Sequence, residues 1–194
     1  MSEAFPLVTD LELATGLLHP GRRVVTRRLS EMAETYEDHA AAAALLASGQ
    51  DPVIYEAYES ESPDGPDELV FRTTVIQPGT IGDEYFMTFG HHHVRDSGEF
   101  YLGLAGHGQI IMQSRDDRAL TAAIPAGRCV YVPAGWCHRT INDGAEPFVF
   151  LAVYFADAGH DYASMAADGF VARLRRGPDG AQWSRPLVVA GGAV

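Results

Sequence analysis

Apolar positions along the chain fall into short runs, many with strand-like alternation, and each run is closed by residues that bend the backbone. Val53-Ile54-Tyr55-Glu56-Ala57-Tyr58 follows Pro52, and Leu69 to Gln77 ends at Pro78-Gly79. Further runs cover Glu84 to His93, Glu99 to Leu104, Gly108 to Ser114, Arg128 to Val132 and Pro147 to Phe155. Many short strands punctuated by Gly, Pro and Asp predict an antiparallel sandwich or barrel. Ahead of them, Met1 to about Arg28 reads as an arm, broken by Pro20-Gly21 and carrying strand character at Val24-Val25-Thr26. Ser30 to Ser48 predicts one long helix, with Ser30 as N-cap, Glu31 and Glu34 in the first turn, an alanine run, and Gly49 after its end. Ser60 to Glu68 is acidic, carries Pro63, Gly65 and Pro66, and reads as a solvated hairpin loop. Tyr162 to Arg175 predicts a short helix followed by a strand, and Arg185 to Val194 a tail. The expected division is one domain over 1–194: arm and helix to residue 50, a β-barrel over about 52–160, and an extension over 161–194.

Composition narrows the function. A chain of 194 residues suits one domain with a sizeable core. The net charge of −12 offers no basic stripe for nucleic acid or an anionic membrane. All 14 basic side chains are arginine, so a lysine Schiff base is excluded. The N-terminus carries Glu3, Asp10 and Glu12 without a basic start and apolar run, and no apolar stretch is long enough for a bilayer. Cys129 and Cys137 are not in a CxxC pattern, and the expectation is free, buried thiols in a reducing cytoplasm.

The densest chemistry lies at Gly90-His91-His92-His93. On extended backbone His91 and His93 share a face and His92 takes the other. Asp96-Ser97-Gly98 then predicts a turn that returns Glu99 beside the two imidazoles. His138 follows the Pro133-Ala134-Gly135-Trp136-Cys137 bend and is a fourth candidate donor. Three His and one Glu suit a divalent ion such as Fe, Mn, Co, Ni or Zn, and leave positions open for substrate. Cys137, on the opposite face from His138, is not expected to ligate.

These residues resemble the cupin superfamily, whose first motif is matched by His91, His93, Glu99 and Gly106, with Tyr85 where that motif has Gly. Gly127, Pro133, Gly135, His138 and Asn142 match the second. Thr73-Thr74-Val75, Glu84-Tyr85-Phe86-Met87-Thr88-Phe89-Gly90-His91, His138-Arg139-Thr140-Ile141-Asn142 and Asp157-Ala158-Gly159-His160-Asp161-Tyr162 are more specific. They resemble the archaeal-type, cupin glucose-6-phosphate isomerases. The resemblance implies an all-β double-stranded β-helix, or jelly roll, with an N-terminal helix and flanking strands. It implies one divalent ion per chain, iron(II) first and Mn, Zn, Ni or Co as alternatives, on His91, His93, Glu99 and His138. It also implies a sugar phosphate near Thr74, Thr88 and Gly90, with Tyr154 and His160 by the same ligand and Tyr55 and Tyr101 lining the pocket.

An aldose–ketose isomerase needs a proton shuttle between neighbouring carbons. Glu99 is the candidate base, and His160 or Tyr101 the relay for the hydroxyl proton. A hydride shift is the other route open to the same residues. Without lysine, phosphate binding is expected from hydroxyls and backbone amides, with Arg139 ranked below the threonines and Trp136 expected to wall the pocket. The expected enzyme is a cytoplasmic homodimer. A cupin dioxygenase uses the same donor set, and a sugar-binding cupin without catalysis is a further alternative.

Overall fold

Nine longer strands carry the architecture: β1 (Arg22–Arg28), β2 (Val53–Glu59), β3 (Leu69–Ile76), β4 (Glu99–Ala105), β5 (Gln109–Ser114), β6 (Ala119–Ala123), β7 (Cys129–Val132), β8 (Trp136–Ile141) and β9 (Phe148–Phe155). They belong to a computed structural model that describes residues 6–62 and 65–191. Glu3 of the arm, Pro63 of the acidic loop and the last three tail positions lie outside the described residues.

The larger sheet runs β7-β4-β9-β3-β2-β1, and the smaller one runs β8-β5-β6 with Val188–Val189 at its edge. Every pairing among the nine strands is antiparallel. Ile76, Tyr101 and Phe150 of the larger sheet share one apolar cluster with Ile110, Met112 and Ile141 of the smaller. The result is the all-β jelly roll expected from the sequence, because alternate side chains of both sheets leave water together. No helix among the described residues is long and apolar enough to cross a bilayer.

Four expectations need correction. The helix over Ser30–Ser48 is broken into Leu29–Met32, a 3-10 turn at Ala33–Thr35, and a second helix at His39–Ala47 capped by Asp38, whose Oδ1 accepts from Ala41 N at 2.8 Å. Tertiary partners win over the helical ladder there: Thr35 O accepts from Arg173 at 2.6 Å and Glu37 N donates to Glu84 at 3.1 Å. The run from Glu84 to His93 pairs as a strand only at Glu84–Tyr85; beyond it, isolated bridges join Met87 to Ile141, His91 to His138 and His92 to Asp161. Gly90, at φ +76°, breaks the ladder, and a Cβ there would lie 2.6 Å from the Phe170 ring. Val188–Val189 of the supposed tail pairs parallel to β6, a strand the pattern does not predict because Ala-Leu-Thr-Ala-Ala has little β propensity. Ser60 of the acidic loop is buried, its hydroxyl 2.7 Å from that of Ser62.

The ends of the chain cover the barrel from outside. Gly16 sits against Val75 and Val149 of the larger sheet. Strands Leu174–Gly177 and Gly180–Trp183 form a small sheet with Glu84–Tyr85 and Thr80–Ile81. This outer layer explains why residues facing away from the cavity on β8 are buried as well.

Candidate metal centre and substrate cavity

Three parts of the fold meet at one point inside the barrel. Glu99 opens β4 on the larger sheet and His138 lies in β8 on the smaller. His91 is clamped to His138 by two backbone hydrogen bonds of 3.2 Å, and His93 follows two residues on. One donor atom from each of the four residues lies within 4.8 Å of all the others. Ligands about 2.0–2.2 Å from one ion sit roughly 3–4 Å apart, so small side-chain shifts close the shell.

Hydrogen bonds at the far ring nitrogens aim the imidazoles. His93 Nδ1 lies 3.0 Å from Ser97 O, and His138 Nδ1 lies 3.2 Å from Trp136 O. A carbonyl only accepts, so each Nδ1 carries the proton and each Nε2 turns a lone pair inward. His93 Nε2 and His138 Nε2 reach Glu99 Oε2 at 3.1 and 2.9 Å. His91 Nε2 and His138 Nε2 are nevertheless buried without a hydrogen-bond partner. Buried lone pairs with no donor, around a buried carboxylate, fit a divalent cation. Burial alone would raise the Glu99 carboxyl, but His138, His93 and His91 hold it well below the ordinary carboxylate range. Burial, then the neighbouring His138, pushes His91 well below its usual value, as a neutral ligand requires. His92 faces away, as the alternation predicts, with Nδ1 3.1 Å from Ser164 Oγ. The predicted turn differs in detail: Glu99 pairs with Val132 on β7 instead of forming a hairpin with the histidines.

Beside this cluster opens a narrow cavity. The expected Tyr55, Thr74, Thr88 and Gly90 line it, together with Tyr101, Tyr154 and His160. Strand alternation places them: Tyr55 and Ala57 on β2, Phe150, Ala152 and Tyr154 on β9, and Glu99 and Tyr101 on β4 all point inward. The His160 ring lies 4.4 Å from that of His91 and stacks on Tyr162 at 5.8 Å. Burial and then Arg72 lower His160 to about 4, so it is neutral at pH 7. Burial, then the Glu99 carboxylate beside it, raises the Tyr101 hydroxyl well above its usual value.

A family model described as Glucose-6-phosphate isomerase (GPI) matches residues 26–183, which spans both sheets and every residue of the site. The chain belongs to the glucose-6-phosphate isomerase family. Two archaeal relatives bear the name glucose-6-phosphate isomerase. That of Thermococcus kodakarensis is 43% identical over 166 residues, covering 85% of this chain and 86% of its own length. That of Pyrococcus furiosus is 43% identical over 169 residues, 87% of each chain. A bacterial protein of the same name, from Sinorhizobium medicae, is 36% identical over 90% of this chain and 82% of its own. Among solved structures, oxalate decarboxylase from Bacillus subtilis is similar at a TM-score of 0.44 and 24% identity, over 55% of this chain and 26% of that one.

In this member of the isomerase family, Trp136 and Cys129 depart from expectation, while Arg139 lies outside the cavity as strand alternation predicts. Trp136 does not wall it; its indole lies 5.6 Å from the Arg118 guanidinium, at the mouth of a separate groove. Arg139 leaves β8 on the far face, where Nε donates to Phe89 O at 3.1 Å and the guanidinium lies 4.6 Å from the Phe170 ring. Cys129 is exposed rather than buried, because β7 is an edge strand, while Cys137 is buried. The cavity also contains Arg27, Arg72, Thr140 and Tyr162, which were not among the candidate site residues. Arg72 had a legible signal, since it lies two residues before Thr74 on the same strand and therefore on the same face.

Proposed function

We infer that this chain interconverts glucose 6-phosphate and fructose 6-phosphate as a metal-dependent isomerase. What supports the reading is family membership joined to one observation: of a cluster of three imidazoles and one carboxylate, His91, Glu99 and His138 line a cavity together with hydroxyls, two guanidinium groups and a few apolar side chains. His91, His93, Glu99 and His138 would hold one divalent ion, iron(II) first, and when bound it would polarise the substrate carbonyl and offset the developing oxyanion.

The chain's own residues move the protons. Both imidazoles approach Glu99 Oε2, which leaves Oε1 to take a proton from C2 of the aldose and return it to C1. In the same turnover the hydroxyl proton on O2 passes to O1, and neutral His160 is the group to relay it. Tyr101 stays protonated and donates a hydrogen bond to the Glu99 carboxylate beside it. Tyr55, Thr74, Thr88, Gly90 and Tyr154 position the sugar phosphate. The test is isomerisation in deuterium oxide: deuterium at C1 of the ketose and C2 of the aldose is expected, whereas complete absence at every stage of conversion removes Glu99 as base. The reading extends to a cytoplasmic homodimer, supported by exposed Val188 and Val189 on the edge of the smaller sheet. Sedimentation equilibrium reads the dimer directly.

A further inference from the structure

Two guanidinium groups line the cavity among the described residues, and their surroundings differ. Arg72 is spent: Nε and Nη2 lie 3.1 and 2.6 Å from Glu59 Oε2, and that carboxylate also accepts from Tyr154 at 3.4 Å. Arg139, nearby in sequence to the ligands, gives its donors to Phe89 O outside the cavity. Arg27 has one carboxylate partner, with Nη1 2.7 Å from Glu31 Oε1, and the Tyr55 hydroxyl beside it. Its Nε is sealed from solvent and has no hydrogen-bond partner. The side chain as a whole is about a third exposed, but an unmet donor that is itself out of water is costly, which marks a place where an acceptor belongs.

The position of Arg27 says what that acceptor is. On β1 it pairs with Tyr55 of β2, and the neighbouring pair on the same face of β2 and β3 is Ala57 with Thr74. Across the cavity its guanidinium lies 5.6 Å from the ring of Phe89, between Thr88 and Gly90. Arg27 therefore lines the same cavity as Thr74 and Thr88, which offer donors but no charge. A dianionic group there needs a cation, and this chain has no lysine to supply one. An arginine fork also matches a phosphate in shape.

We propose that Arg27 binds the phosphate of the sugar phosphate, with Nε donating to a phosphate oxygen beside Thr74 and Thr88. This assignment rests on the isomerase reading, and its test is arranged to fail separately. Inorganic phosphate is titrated calorimetrically into wild type, Arg27→Gln, Arg27→Lys and Arg72→Gln. Arg27→Gln is expected to weaken phosphate binding about 10- to 100-fold. Arg27→Lys should recover part of that loss, and Arg72→Gln should change affinity by less than about threefold. With fructose 6-phosphate, Arg27→Gln should raise KM by a similar factor and leave kcat within about threefold. Turnover of unphosphorylated fructose should not fall. Unchanged phosphate affinity in Arg27→Gln, equal losses in the Arg27 and Arg72 variants, or no phosphate binding to wild type would each overturn the proposal. If Arg27→Gln does not fold, Arg27→Lys binding phosphate no more weakly than Arg72→Gln also overturns it. A wild-type chain that binds phosphate through Arg27 yet never converts the hexose phosphates would sink the isomerase reading alone.

Discussion

Replacing Glu99 by Gln separates the chemistry of the cluster from its packing. The side chain is 4% exposed, and Oε2 lies 3.1 Å from His93 Nε2 and 2.9 Å from His138 Nε2. Glutamine keeps the volume but removes the negative charge among the donors and the oxygen that would take the proton. Loss of a positioned base costs about 10²- to 10⁴-fold in rate, roughly 2.7–5.5 kcal/mol at about 1.36 kcal/mol per decade. The comparison is His92→Ala, one face away: His92 makes a single side-chain hydrogen bond, to Ser164. That substitution should cost about 0.5–1.5 kcal/mol of stability and leave turnover close to wild type. Steady-state kcat with fructose 6-phosphate, metal content per chain and melting temperature are measured on both variants. Turnover of Glu99→Gln within tenfold of wild type, or an equal fall in His92→Ala, would refute the assignment of faces and of the base.

Three further outcomes follow from neighbouring contacts. Arg139→Ala removes a buried side chain, strips the Phe89 carbonyl of its donors and unstacks Phe170, so it should lower stability by about 2–4 kcal/mol in denaturant melts; a loss below about 1 kcal/mol would contradict the packing described. Gly90→Ala places a Cβ at positive φ and 2.6 Å from Phe170, and should cost at least the roughly 1–2 kcal/mol of the left-handed conformation; an unchanged melting temperature would contradict it. Glu31 is held below its ordinary value of 4.5 chiefly by the Arg28 backbone N–H, so its stabilisation is present above about pH 4.5 and lost as pH falls through its folded value. The melting-temperature gap between wild type and Glu31→Gln should therefore close below pH 4.5; a gap that widens on acidification contradicts the sign.

Much of the site was legible because strand alternation is a local rule. His91 and His93 sharing a face, His92 and Cys137 turning away, and Arg139 leaving β8 opposite His138 all follow from a period of two. The barrel was legible from short apolar runs and their breakers, and the inward tyrosines and threonines from the family resemblance. What escaped depended on distant partners. The break after Thr35 is made by Arg173 and Glu84, far along the chain, which take the peptide groups a helix would use. The pairing of Val188–Val189 with β6 has no signature in either segment. Arg27 was hidden by composition: its arm carries Arg22, Arg23, Arg27 and Arg28, and only the fold shows which one turns into the cavity.

The most direct measurement is a coupled assay on chain stripped of metal and then reloaded. Fructose 6-phosphate is supplied, and glucose 6-phosphate is read by a nicotinamide-dependent dehydrogenase while bound metal is counted. Activity is expected to vanish on chelation and return in proportion to metal bound, saturating at one ion per chain, with His138→Ala failing to recover. Full turnover by chain free of metal, or reloading that is as complete in His138→Ala as in wild type, would contradict a metal held by His91, His93, Glu99 and His138.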